Sequence, residues 1–430
     1  MTKQECAIKY ITENYLDYRR LRHDIVADKL QVRVAHSLED ASLQNAPEGL
    51  QFRGKEMWRE MTKHDINSIV CHCAQEYDAN ITSREVMTAL QSDLIPDVHP
   101  LREYVLSCGE WTEEQPDWID WVAQQVTVKP LGDEAKGDKA RGKGLWRGCF
   151  KKWFVAMVAS WMKDEVVNHQ VLVLIGKQGI FKTTWLEHLI PPHLRAYACK
   201  LANSNDLNKD ERLRIAEFGL ISLDEIDSMN NRELNQLKSV ITATDVNERA
   251  AYAYTKERRV RLASFCASGN RRDFLTDITG NRRWLPFEVE SIQNPFYTLL
   301  PYERMYAQAW ALAQDPLFSY WFDLDEIEVL EEHNQHFRDE SNEEQLLDVY
   351  FAVPAEGASN TKFLTTAEIS ERLIYYGNIK RPLSLSRLGV LLSQKGFLSI
   401  RKGSPQRRGW VVYERDNEEI NAERRILSKT

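Results

Sequence analysis

Val171-Leu-Val-Leu-Ile175, followed by Gly176-Lys-Gln-Gly-Ile-Phe-Lys-Thr-Thr184, is where the reading of this 430-residue chain is decided. Five apolar residues without alternation predict a short strand buried on both faces. The turn that follows contains Gly176 and Gly179 and ends in Lys182, Thr183 and Thr184. Glycines let backbone N–H groups converge on phosphate oxygens. A lysine then reaches the β and γ phosphates, and the first hydroxyl residue completes a Mg²⁺ shell. Trp185-Leu-Glu-His-Leu-Ile190 predicts a helix whose N-terminus adds its positive dipole end. The stretch reads as a phosphate cradle, although a buried strand before an ordinary turn and helix has the same pattern. The motif G-x-x-x-x-G-K-[ST] wants glycine where this chain has Phe181. A side chain there must point away from the phosphates, which reshapes the loop or lowers its affinity.

Downstream, Phe218-Gly-Leu-Ile-Ser-Leu-Asp-Glu-Ile226 predicts another buried strand, ending in adjacent acids and returning as a parallel neighbour of the first. Asp224 suits Mg²⁺, directly or through water, and Glu225 suits polarisation of the water that attacks a γ phosphate. Helix-capping acids are the plainer reading of the pair. A third strand is predicted within Val260 to Asn270, where Asn270 at the tip could orient the same water; a turn-forming Asn-Arg is the alternative. Arg282 and Arg283 lie in a polar turn before the apolar run Trp284-Leu-Pro-Phe287, well placed for an arginine finger inserted into a neighbouring subunit.

Taken in order, Gly176-Lys-Gln-Gly-Ile-Phe-Lys-Thr-Thr184, Leu223-Asp-Glu-Ile-Asp227, Ser268-Gly-Asn-Arg-Arg-Asp-Phe-Leu275 and Gly280-Asn-Arg-Arg-Trp284 resemble the virulence-associated protein E family. His99-Pro-Leu-Arg-Glu-Tyr104 precedes them, and the similarity spans roughly residues 95 to 290. The resemblance implies an α/β fold with a central P-loop ATPase of AAA+ type, related to superfamily III helicases of phages and mobile elements. It implies ATP and Mg²⁺ as cofactors, a homo-oligomeric ring, expected to be a hexamer, and single- or double-stranded DNA as partner, with a primase or replication initiator beside it. In superfamily III helicases a hairpin ahead of the sensor strand grips DNA in the pore. By that resemblance Lys256, Arg258 and Arg259 are DNA-binding candidates, since Arg249 to Arg261 alternates on both sides of Thr255-Lys-Glu257 and predicts a hairpin with a charged tip. A solvent-exposed, salt-bridged hairpin fits the same residues.

Composition is that of a globular protein, 43% hydrophobic and 28% charged, with length for about three domains. No signal peptide opens the chain and no apolar run reaches membrane-spanning length, so a cytoplasmic location without membrane partners is expected. Seven scattered cysteines fit reduced thiols, and Cys71-His-Cys73 lacks the spacing and partner pair of a zinc site. A net charge of −8 argues against a generally cationic nucleic-acid coat but leaves room for a local basic channel.

The expected organisation is a small N-terminal docking or oligomerisation element (1–60), a mainly helical domain (61–160), the P-loop ATPase (161–322), an acidic helix or linker (323–344) and a winged-helix-like C-terminal domain (345–430). Helix is predicted from Cys6 to Arg22, then alternating segments such as Leu30 to Val34. Between 62 and 126 helices are predicted, with Ile66, Ile69 and Val70 on one stripe and Trp111, Trp118 and Trp121 as core aromatics rather than base-stacking platforms. Lys129 to Lys143 predicts a mobile loop, Trp146 to Trp161 an apolar helix under the sheet, and Asn230 to Thr242 another helix. Asp323 to Glu344 predicts an exposed amphipathic helix. Thr365-Thr-Ala-Glu368 predicts a capped helix to Tyr376, Ser384 to Lys395 a second, and Gly396 to Arg401 a strand paired with Gly409 to Glu414. Such a module sets Arg387 and Lys395 at a major groove and the tip from Lys402 to Arg408 on phosphates, or docks a protein. The expected activity is ATP-driven DNA translocation in replication. A nucleotide-switched initiator without motor activity, favoured by Phe181, and a defence ATPase with a protein partner are the alternatives.

Overall fold

In the computed structural model, residues 1–34, 57–131, 139–201, 214–248, 257–275, 281–338, 342–355, 361–377, 384–402 and 406–427 are described. They form two units, Met1–Asn270 with Phe287–Asp323, and Arg271–Pro286 with Leu324–Thr430. The first begins with a reciprocal cap, Thr2 Oγ1 accepting from the Glu5 amide and Glu5 from the Thr2 amide. Helix α1 (Lys3–Ile11) continues as a π turn over Thr12–Leu16, followed by β1 (Leu21–Asp24) and β2 (Lys29–Val34). The predicted helix to Arg22 therefore ends early: Arg19 takes a left-handed φ of 50° and Arg22 lies in β1. Next come β3 (Met57–Glu60), α2 (Lys63–Tyr77), α3 (Ser83–Leu90) and β4 (Asp97–Val98). The strands form a sheet of order β3-β2-β1-β4, so the N-terminal region expected to be mainly helical carries four strands as well. A single hydrophobic cluster gathers Cys6, Ile11, Ile69, Cys73, Val86 and Leu90, from both sides of residue 60.

α4 (Pro100–Ser107), α5 (Trp118–Ala123) and β5 (Val126–Val128) lead to the long α6 (Lys139–Met162). The loop predicted to Lys143 thus gives way to helix from Lys139, and residues 132–138 lie outside the described chain. α6 buries Trp146, Phe150, Trp153, Phe154 and Trp161. Its indoles find carbonyl partners: Trp146 Nε1 donates to Ala123 O at 2.9 Å, Trp153 Nε1 to Phe265 O at 3.1 Å and Trp161 Nε1 to Gly219 O at 3.1 Å. A tryptophan can be buried because its one donor is satisfied in this way. Of the other tryptophans read as core, Trp118 and Trp111 are half-buried and Trp121 is exposed.

The central part runs β6 (Val171–Ile175), α7 (Lys182–His188), β7 (Ala198–Leu201), α8 (Arg214–Glu217), β8 (Leu220–Leu223), α9 (Asn231–Thr242), β9 (Asp245–Glu248), β10 (Glu257–Val260), β11 (Ser264–Gly269) and β12 (Trp284–Ile292). Six strands join in the order β5-β12-β6-β11-β8-β7. β6, β11, β8 and β7 are mutually parallel. The acid-bearing strand β8 is therefore not the direct neighbour of β6 that the sequence predicted; β11 is inserted between them. Arg261, fully buried, closes the far end of α9 by donating to Val240 O, Ile241 O and Ala243 O, and also to Asn168 O. Those are the carbonyls a helix C-terminus leaves unpaired. α10 (Tyr302–Gln314) completes the unit, and its Tyr302 and Tyr306 hydroxyls donate to His188 O and Leu189 O, holding the end of α7.

The second unit contains α11 (Leu324–Gln335), α12 (Asn342–Tyr350), β13 (Phe351–Ala352), β14 (Thr361–Leu364), α13 (Thr366–Gly377), α14 (Leu385–Gln394), β15 (Leu398–Lys402), β16 (Arg407–Glu414) and α15 (Asn417–Leu427). α11 is the acidic helix, yet it is not merely exposed. Leu330, His333 and Asn334 are buried, and Asn334 Nδ2 donates to Asn281 O and Trp284 O. In the C-terminal module β16 pairs with β13, β14 and β15, all antiparallel. The predicted cap is present, Thr365 and Glu368 bonding each other's backbone. Ile369, Leu373, Leu388, Leu391 and Trp410 form its core. Two helices followed by a hairpin is the arrangement read from the sequence.

Candidate functional site

The strand ends β6, β11 and β8 bring the sequence candidates to one place. In parallel sheets covered on both faces the carboxyl ends of the strands carry the chemistry. After β6 the loop turns at Gly176, where a Cβ would stand 2.7 Å from Val289 O, and at Gly179, whose φ is 84°. Phe181 takes the left-handed conformation that a glycine would supply, with φ 69°. Its ring turns out to meet Phe296, centroids 6.4 Å apart. The sequence's departure from the glycine pattern thus carries backbone strain on the order of 1 to 2 kcal/mol.

Lys182 is buried, and its ammonium donates to Gly176 O and Lys177 O at 2.7 Å and to Asn270 Oδ1 at 3.3 Å. Burial pulls its pKa below the ordinary lysine value, against the opposing charges of Asp227 and Asp224. Thr183 Oγ1 lies 3.1 Å from Asp224 Oδ1 and 2.9 Å from Ser268 Oγ, and Ser268 Oγ donates to the same Asp224 oxygen at 2.6 Å. The other Asp224 oxygen is 2.8 Å from Lys200 Nζ. Burial alone would raise the Asp224 pKa, but the bonds from Lys200, Ser268 and Thr183 outweigh it and hold the group below the usual carboxylate range. Lys200 is correspondingly raised, chiefly by its bond to Asp224. Thr184, half-buried in the first turn of α7, gives its carbonyl to His188 Nδ1 at 2.7 Å.

Glu225 is exposed with a left-handed φ of 52°, directly beyond Asp224. Asn270, whose amide donates to Asp227 Oδ1 at 3.1 Å, stands at the tip of β11. Sequence reasoning gave no role to Ser268, Asp227 and Lys200. Ser268 and Asp227 sit inside motifs already quoted, so their position was open to view. Lys200 was not, because only the pairing of β7 with β8 carries it to Asp224.

Other candidates lie elsewhere. Arg282 and Arg283 sit on a short turn over Asn281–Arg283 in the second unit, Arg282 exposed and Arg283 half-buried. Lys256 and the Arg258 side chain are outside the described residues. The hairpin is real, but its strands are β9 and β10, so Glu257 lies in a strand and not at the tip. Arg259 is 2.6 Å from Asp28 and 3.6 Å from Glu217, tied to the body of the unit. In the C-terminal module Lys395 pairs with Asp348 at 2.6 Å, Arg387 on α14 is half-buried and Lys402 at the end of β15 is exposed. Cys71 is exposed and Cys73 buried, and all seven cysteines are free thiols. Among the described residues no cluster of three or more metal-ligating side chains occurs, and no helix is long and apolar enough to cross a membrane.

Residues 139–345 match the virulence-associated protein E-like domain, the family that the motifs resemble. Solved structures similar to the chain include the A form apo structure of the NrS-1 C terminal region, 10% identical, with a TM-score of 0.45 and covering 96% of this chain and 99% of that one. A second apo structure of the same region is 10% identical at a TM-score of 0.45, covering 96% and 100%. No curated protein matches the chain.

Proposed function

We propose that the chain is an ATP-driven DNA translocase or helicase that works as a ring, expected to be a hexamer, in the replication of a phage or mobile genetic element. The observation that carries this reading is the meeting of Lys182, Thr183, Asp224, Ser268 and Asn270 at the ends of three adjacent parallel strands. The donor set suits Mg²⁺. Two adjacent ligands of an octahedral shell at 2.0–2.1 Å stand about 3 Å apart, and Thr183 Oγ1 and Asp224 Oδ1 are separated by 3.1 Å. Thr183 and Asp224 would hold the ion, which supplies charge neutralisation for the phosphates.

In this reading Gly176, Gly179 and Thr184 shape the cradle, and the Lys182 ammonium exchanges loop carbonyls for phosphate oxygens. Glu225 and Asn270 orient the attacking water, and Arg282 or Arg283 of a neighbouring subunit meets the developing charge. The hairpin with Lys256, Arg258 and Arg259 faces DNA, and Arg387 and Lys402 place the C-terminal module on a duplex. For Arg259 that contact requires release of Asp28 and Glu217.

The decisive assay is ATP hydrolysis by the purified chain with and without single-stranded DNA, beside Lys182→Ala. Turnover stimulated by DNA and absent in the variant supports the motor. No turnover in either condition sinks it and favours the second reading, a nucleotide-switched initiator, to which the Phe181 departure points. Glu225→Gln separates these two: a switch still loads on DNA, while a motor stops unwinding. DNA-independent turnover would instead favour a defence ATPase with a protein partner.

A further inference from the structure

Beside the phosphate cradle lies an aromatic surface that phosphate binding does not use. Thr184 and His188 lie one turn apart on α7, and Phe181 directly precedes its first turn. Phe296 meets both Phe181 and His188, edge-on at 6.4 Å and 5.5 Å. It is 65% exposed and its neighbour Tyr297 is 87% exposed, a large apolar outlay for a loop with no core to cover. The loop is nevertheless fixed in shape. Asn294 Oδ1 accepts from the Phe296 amide at 3.0 Å, and Asn294 O from the amides of Tyr297 and Thr298 at 3.1 Å. The His188 ring is held by its bond to Thr184 O, and the His188 carbonyl accepts from the Tyr302 hydroxyl.

We infer that Phe181, His188 and Phe296 form the seat of the nucleobase, so that a nucleotide held by its phosphates at Lys182 and Thr183 lays its base on the Phe296 side of α7. This rests on the phosphate-cradle reading above. An α-helix rises 1.5 Å per residue, so His188 stands roughly 9 Å beyond Lys182, within a nucleoside's reach. Phenyl rings carry no hydrogen-bonding atoms, so they recognise a π face and not a base edge. A purine, with the larger face, is the class of base that such a surface takes. The residue that breaks the glycine pattern thereby acquires a role: Phe181 gives up backbone ease to place a ring where the base lies.

The test compares Mg²⁺-ADP with Mg²⁺-tripolyphosphate, which has no base, by calorimetry on the full chain. Phe296→Ala should weaken ADP about tenfold, the size of a lost base–aromatic stack, and leave tripolyphosphate unchanged. Phe296→Tyr should restore ADP binding. Because Phe296 is exposed, neither substitution removes core packing. Unchanged ADP affinity in Phe296→Ala, or an equal loss for both ligands, overturns the base seat alone. Absence of binding by either ligand to the unaltered chain overturns the cradle reading and this inference together.

Discussion

His99 shows how one side chain can tie the fold to pH. It caps α4, its Nδ1 accepting the Arg102 amide at 3.2 Å, with Pro100 following at the first helical position. Only neutral imidazole can accept, and burial, with the Arg102 charge beside it, pushes the His99 pKa down to about 4. The unfolded chain takes up this proton near its ordinary value of about 6.5. Between those values the unfolded state binds more protons, so stability is full above pH 6.5 and falls as pH drops towards 4, by up to roughly 3 kcal/mol. His99→Asn keeps a capping acceptor without the titration. In urea unfolding at pH 7 and pH 5 the unaltered chain should lose stability beyond what the variant loses; equal losses would remove His99 from the account. Phe181 belongs to the same scale. The sequence marked it as a departure and required its side chain to leave the phosphates, but the left-handed backbone and the ring of Phe296 are facts of three dimensions.

At the scale of elements, α6 is the support on which the cradle rests. Its indoles bond carbonyls at Phe265 and Gly219, so the helix is fixed against the sheet by direction as well as by area. Trp161→Phe keeps most of the apolar volume but removes the indole bond to Gly219 O, which retains the Ser264 amide as its other donor, at a cost of about 0.5 to 1.5 kcal/mol. Trp121→Phe, on a side chain 41% exposed, should change little. Equal midpoints for the two variants in chemical unfolding would show that the indole bond contributes nothing. Helix and strand identities here were open to sequence reading, since β6 falls on the run from Val171 to Ile175 and α9 on the segment from Asn231 to Thr242. Their limits were less open: α1 stops before Arg22, where Arg19 turns left-handed, and α6 starts by Lys139, inside a segment whose composition reads as loop.

On the scale of the whole molecule, the proposed ring carries its own expectation. Six copies of a 50.0 kDa chain should assemble when nucleotide is bound but not hydrolysed. Mass photometry of Glu225→Gln with ATP should then give a species six times the single-chain mass, and a single-chain mass with and without ATP would sink the ring. A net charge of −8 leaves room for a local basic channel inside such an assembly. The ion pairs of Arg259 with Asp28 and Glu217 join the base of the β9–β10 hairpin to the rest of its unit. That coupling brings together residues far apart in the chain and could not be read from charge alternation along residues 249 to 261.

By itself the amino-acid order determined the buried strands, the glycine turn, the helix caps and the family of residues 139–345. Each of these is set locally, by apolar runs, by backbone freedom, or by a side chain bonding an amide three residues away. Which strand lies beside which was decided only by tertiary structure. The insertion of β11 between β6 and β8 puts Ser268 on Asp224, and the pairing of β7 with β8 brings Lys200 to the same carboxylate. The Phe296 ring beside α7 is of this kind too. Strand order and cross-loop contacts arise from burying whole faces together, and no spacing along one chain records them.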